Sequence, residues 1–182
     1  MRPQDITIIK REVQAVIIPY GENVTLMPGT EALVTQDKGN SYTLNVNGNL
    51  LRIDGQDADA IGRTPAENTL PKEDLTIEQV DQDLIYRYLK SCYDPEIPVN
   101  IVDLGLIYQV STESLKKGGL YVGIQMTLTA AGCGMGPVIV ADVEQVILAL
   151  PHVKQVDVVL VFDPPWNADM MSEEARLELG LL

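Results

Sequence analysis

The chain has 182 residues, with 26 acidic side chains against 13 basic ones, one His, two Cys and a formal charge of −13. Such acidity excludes broad electrostatic grip on nucleic-acid phosphates or anionic membranes. A hydrophobic content of 46% excludes disorder along the whole chain, and the length allows one ordinary domain or two small ones.

The longest apolar run near the C-terminus, residues 158–162, is far short of the ~20 residues a membrane span needs. Lys10, Arg11 and Glu12 interrupt the N-terminal stretch, which has no signal-peptide apolar region. Cys92 and Cys133 do not make a disulfide-dense scaffold. The expectation is a cytoplasmic protein with reduced thiols and neither nucleic acid nor membrane as partner.

Residues 1–70 read as short strands joined by turns. Strands are expected over residues 24–27, 32–36, 42–46 and 50–53. Asn47-Gly48 is the favoured pair for a tight type I′ hairpin turn. Leu44 and Val46, and across the turn Leu51 and Ile53, alternate as half-buried strands do. A small β-meander or partial barrel follows. It carries no His, Cys or glycine-rich phosphate loop, so its expected role is scaffolding or partner docking. A polar, proline-containing stretch over residues 62–74 reads as a linker, with the boundary set at 71–75.

The pattern over residues 76–182 is helix, strand, strand, helix, strand, helix. Thr76 is the expected cap of the first helix, with Gln79 completing a capping box, and Asp94-Pro95 its expected end. Ile77, Val80, Leu84, Tyr88 and Leu89 share one helical face. Strands are expected over 106–110, 120–129 and 153–162. In the second, Leu120, Val122, Ile124, Met126 and Leu128 face one way. Pro137 suits the first turn of a second helix with a stripe of Ile139, Val143, Val146, Ile147 and Leu150. Ser172 caps the last helix, followed by Glu173 and Glu174 at its positive end. The fold class is α+β: a two-layer α/β sandwich over 76–182, preceded by a small β-rich domain over 1–70.

The chemistry concentrates in residues 129–137, TAAGCGMGP. Cys133 lies in a glycine-rich loop between a strand end and a helix start. The unpaired N–H groups of a helix start favour an anion such as a thiolate. A reactive or metal-ligating thiol and a small apolar filler are both open, and Thr129 can offer its hydroxyl to the sulfur or its ligand. A second segment, residues 94–98, DPEIP, fixes Asp94 and Glu96 beside two prolines. Rigid carboxylates suit metal binding or proton handling, although Asp-Pro is also an ordinary turn. Asp103 is a candidate loop cap. Trp166, Met170 and Met171 are expected to pack, and Cys92 to be a buried filler. His152 has no metal-ligand companions and is expected to face solvent in a turn, which leaves Cys133 without a His general base and argues against a Cys-His hydrolase.

DPEIPVNIVDLGLIY, MTLTAAGCGMG, LVFDPPWNADMMSEEAR and the terminal LG together resemble the metal–sulfur cluster assembly domain of the MIP-eighteen/PaaD-like family, over about residues 76–181. The β-rich N-terminal region, with YTLNVNGNLLRIDGQDADAIG, resembles bacterial SufT proteins. The resemblance implies maturation of iron–sulfur proteins, by carrying clusters or handing them over. It implies that Cys133, Thr129, Asp94 and Glu96 form one site, with Cys133 as the thiolate ligand. Many relatives have proline where this chain has Ala131 and Gly134. One thiolate does not complete a four-cysteine shell, so the other ligands come from a second subunit, a partner or a small thiol. A homodimer with two facing Cys133 loops is one economical solution. Iron–sulfur scaffolds and client apoproteins are the implied partners, and no enzymatic activity is expected. The alternative is an adaptor that docks clients through its acidic surface with a structural Cys133.

Overall fold

The computed structural model describes residues 5–65 and 74–181. They fall into two compact units. The first comprises Met1–Asn68 with two excursions from further along the chain, Pro95–Pro98 and Cys133–Met135. The second comprises Thr69–Asp94, Val99–Gly132 and Gly136–Leu182. Nine strands and three α-helices are formed among the described residues, the mixed α+β content expected from the sequence.

The first unit is built on β1 (Ile6–Ile8), β2 (Val13–Ile18), β3 (Glu22–Leu26), β4 (Glu31–Gln36), β5 (Ser41–Val46) and β6 (Asn49–Asp54). They form one sheet in the order β1-β4-β5-β6-β2-β3, every neighbour antiparallel. Strands β4, β5 and β6 make a meander, and β6 then returns beside β2, which the local turn signals could not foretell. Asn47 and Gly48 both have positive φ, and Val46 pairs with Asn49 across them, as a two-residue I′ turn requires. The alternating residues Leu44, Val46, Leu51 and Ile53 enter a core with Ile9, Val13, Leu26 and Ile61. Asp54 then starts a 3-10 segment, Gly55–Ile61, by accepting the Gln56 N–H.

Of the expected linker, residues 71–73 lie outside the described residues, and Asp74–Thr76 form a single 3-10 turn. The Asp74 carboxylate is buried and accepts from Arg87 Nη2 at 2.6 Å and from the Tyr88 hydroxyl. Helix α1 spans Gln82–Leu89 and is capped by Asp81, whose side chain accepts the Leu84 N–H. The expected Thr76 cap is therefore corrected. Thr76 belongs to the 3-10 turn, and the extended backbone of Asp81 presents the carboxylate that meets the free N–H groups. The helix also ends earlier than Asp94. Cys92 N–H turns back to the Leu89 carbonyl and the Ser91 hydroxyl donates to the Tyr88 carbonyl, closing the last turn before proline acts.

Strands β7 (Ile107–Ser114), β8 (Leu120–Met126) and β9 (Val153–Leu160) form the second sheet, antiparallel between β7 and β8 and parallel between β8 and β9. The parallel pair needs a crossover, supplied by α2 (Gly136–Leu148), which packs against β9. Val122, Ile124, Met126 and Leu128 of β8 and its extension are buried, as are Ile139, Val143 and Ile147 of the α2 stripe. The expected alternation breaks at Thr127, which is also buried. Helix α3 (Glu173–Glu178) begins at Ser172, whose hydroxyl accepts the Ala175 N–H as expected.

Candidate functional site

In the second unit, the segment after β9 is strapped to residues 103–108. The Tyr108 hydroxyl donates to the Pro164 carbonyl at 2.8 Å, and the Trp166 indole N–H donates to the Leu104 carbonyl at 2.8 Å. Ser172 N–H donates to the Asp103 carbonyl at 2.8 Å. Trp166 is half-buried and Met171 buried, so both serve in packing. Gly105, with φ +73, lies so close to Met170 that a β-carbon there would stand 2.7 Å from the Met170 carbonyl carbon. Leu106 continues inward, its carbonyl accepting Thr127 N–H at 2.8 Å.

The loop cap expected of Asp103 is made by Asn100, whose Oδ1 accepts the N–H groups of Val102 and Asp103. The Asp103 carboxylate instead accepts from Asn100 Nδ2 at 2.6 Å and lies 3.0 Å from Lys90 Nζ. Burial pushes the Asp103 carboxyl up, but the Asn100 amide and the Lys90 ammonium together hold it below the ordinary carboxylate range.

Cys133 is a free thiol, half-buried, three positions ahead of the first residue of α2. Met135 beside it is fully buried, and Gly136 is packed so closely that a β-carbon would sit 3.1 Å from Leu128 Cδ1 and 3.2 Å from Leu160 Cδ1. A side chain there would need the Leu128 and Leu160 methyl groups to give way by a few tenths of an ångström. Cys133 and Glu96 belong to the first unit, whereas Asp94 and Thr129 belong to the second. Glu96 is exposed, Asp94 is 6% exposed and Thr129 is half-buried. Cys92 is buried, as expected. His152 is exposed, with its Nε2 3.1 Å from the Ile77 carbonyl.

Two contacts in the first unit had no signal in the sequence. The buried Thr43 hydroxyl of β5 donates to the Pro95 carbonyl at 3.0 Å, and Lys38 Nζ donates to the Pro98 carbonyl at 3.1 Å. At the β2–β3 turn, Gly21 and Gly134 face each other backbone to backbone. A β-carbon on Gly21 would overlap the Gly134 carbonyl, and one on Gly134 would overlap the Tyr20 carbonyl. Among the described residues, no group of three or more His, Cys, Asp or Glu is placed to hold a metal ion, and no helix is long and apolar enough to cross a membrane.

Residues 82–158, from the first residue of α1 to within β9, match the family described as iron–sulfur cluster assembly protein. A stretch of 104 residues is 48% identical to an Fe-S protein maturation auxiliary factor of Porphyromonas gingivalis, covering 57% of this chain and 94% of that one. The chain belongs to the iron–sulfur cluster assembly family. The matched residues contain Asp94, Glu96, Thr129 and Cys133. The family member YitW of Bacillus subtilis, an Fe-S protein maturation auxiliary factor, is 40% identical over 105 residues, covering 58% of this chain and 99% of that one. The auxiliary factor SufT of Staphylococcus aureus is 41% identical over 88 residues, covering 48% of this chain and 96% of that one. Among solved structures, a DUF59 domain from Bacillus anthracis is 36% identical, with a TM-score of 0.49, covering 56% of this chain and 92% of that one.

Proposed function

We propose that this family member carries iron–sulfur clusters, or hands them over to client apoproteins, with Cys133 as its thiolate ligand. The observation that carries the reading is a half-buried free thiol in the loop three residues ahead of α2, within the part of the chain that matches the family. A metal–thiolate bond needs a reachable sulfur, and this thiol is only half-buried. The cluster is cargo here. Transfer is ligand exchange, in which client thiolates replace the donor thiolate on iron and no electron changes hands. That role calls for weak, incomplete ligation. A single thiolate supplies it, and the remaining ligands come from a second copy, a partner or a small thiol. Asp94, Glu96 and Thr129 serve the same site by hydrogen bonding the loop or placing a proton. The relatives named maturation auxiliary factors support a non-catalytic role.

The test is anaerobic reconstitution with iron and sulfide, followed by transfer to an apo-ferredoxin. The parent is expected to retain iron and labile sulfide and to pass them on. Cys133→Ala is expected to lose both functions with an unchanged circular dichroism spectrum, while Cys92→Ala keeps them. A Cys133→Ala protein that binds and transfers cluster like the parent refutes the ligand role and favours an adaptor.

A further inference from the structure

The curated relatives raise a question about the first 68 residues. Matches of 88–105 residues cover 94–99% of those proteins but only 48–58% of this chain, and the family match, residues 82–158, lies beyond this β-rich region. In this protein, that region shares one compact unit with Pro95–Pro98 and Cys133–Met135, the two segments that carry Glu96 and Cys133. The contacts are specific. Thr43 and Lys38 donate to the carbonyls of the two prolines that bracket the acidic turn. The Tyr20-Gly21 backbone lies against Gly134, the residue after the cysteine.

We propose that residues 1–68 are a positioning unit for the candidate site, in which Gly21 holds the Cys133 loop by backbone apposition to Gly134 and Thr43 holds the acidic turn through the Pro95 carbonyl. The idea deepens the reading of this loop as the cluster-handling site, and its test requires no cluster. Both fixings use main-chain groups of the held segments, so neither engages the Cys133 thiol. Glycine is required on both sides of the first contact, because a β-carbon on Gly21 would overlap the Gly134 carbonyl and one on Gly134 would overlap the Tyr20 carbonyl. The Thr43 bond is buried, where loss of the donor strands a carbonyl. Holding the two segments removes conformational freedom that would otherwise be lost on each loading event.

The experiment uses the full chain with Cys92 replaced by Ala, and follows the rate of Cys133 alkylation by iodoacetamide across a pH series. Gly21→Ala forces the turn off Gly134 and is expected to raise the rate about tenfold, as for a loop released into local opening. Gly29→Ala is the control. It has a comparable positive φ of +89, against +76 at Gly21, but nothing lies within 4 Å of its β-carbon. It therefore imposes backbone strain on the same unit without touching the loop, and the alkylation rate is expected to stay at the parent value. In parallel, Thr43→Val is expected to speed amide exchange at Glu96 and Ile97, and Thr43→Ser to restore the parent rate. The proposal is overturned if Gly21→Ala and Gly29→Ala alkylate alike, or if Thr43→Val and Thr43→Ser exchange alike. Should Gly21→Ala lose the β signal in circular dichroism, the Thr43 pair decides alone.

Discussion

Thr127 offers a measurement in which the expected sign opposes the usual effect of a core substitution. It is 0% exposed, and its hydroxyl finds no hydrogen-bond partner among the described residues, although its N–H is bonded to Leu106. A buried hydroxyl without a partner costs about 1–3 kcal/mol. Valine has nearly the same shape, keeps the β-branch a strand prefers and removes the polar atom. Thr127→Val should therefore stabilise the second unit by about 1–2 kcal/mol, or roughly 2–8 °C in Tm for a chain of this size. The single Trp166 belongs to the same unit, so its fluorescence reports on that unit without assuming that the whole chain unfolds in one step. Urea unfolding should show a higher midpoint at an unchanged slope. Thr127→Ser keeps the orphan hydroxyl and deletes a methyl, so it should cost about 1 kcal/mol. A valine variant less stable than the parent refutes the reasoning and means that the hydroxyl is bonded in solution. Stabilisation accompanied by loss of cluster retention would place the reason for a threonine here in function, since Thr127 stands two residues before Thr129.

Much of the fold was legible because local rules dominate where an element is regular. Period-two alternation marked the buried face of β8, period-3.6 spacing marked Ile139, Val143 and Ile147, and Ser172 followed by two glutamates marked α3. Misplacement arose where two local signals competed. Thr76 and Asp81 can both cap a helix, and the outcome was settled by the Asp74 carboxylate, which pins a 3-10 turn to Arg87 and Tyr88. Alternation also failed at Thr127 beside Leu128, because a segment running out of a sheet no longer has one wet face. The candidate residues were legible as short motifs carrying a thiol and carboxylates. The roles of Gly21, Lys38 and Thr43 were not. Each acts on a residue 52 or more positions away through a carbonyl or a backbone surface, and a carbonyl has the same composition everywhere in a chain.

Two stability predictions follow from the strap across residues 103–108. Gly105→Ala combines a φ of +73 with overlap on Met170, so it should destabilise the second unit by about 2–4 kcal/mol, seen as a lower urea midpoint by Trp166 fluorescence; an unchanged midpoint would mean that the strap is not closed in solution. The second concerns acid. The Asp103 carboxyl is held below the ordinary carboxylate range although burial alone would raise it, because the Asn100 amide and the Lys90 ammonium favour the carboxylate. A carboxyl depressed on folding contributes stability that is fully present above its unfolded value and is lost as pH falls through its folded value. The window therefore begins just above the ordinary carboxylate range and extends below it. Asp103→Asn should be less stable than the parent at neutral pH, and the gap should close as the parent protonates on the acid side. Lys90→Met removes one of the two favourable partners, so it should shift the parent's acid limb upward in pH without abolishing it. The carbonyl of Asp103 also accepts the Ser172 N–H at the start of α3, so acid loosening is expected to spread to that helix, visible as faster amide exchange at Ala175 and Arg176. Parallel stability curves for parent and Asp103→Asn, from neutral to strongly acidic pH, refute the assignment. The carboxylate would then be as comfortable in the unfolded chain as between Asn100 and Lys90.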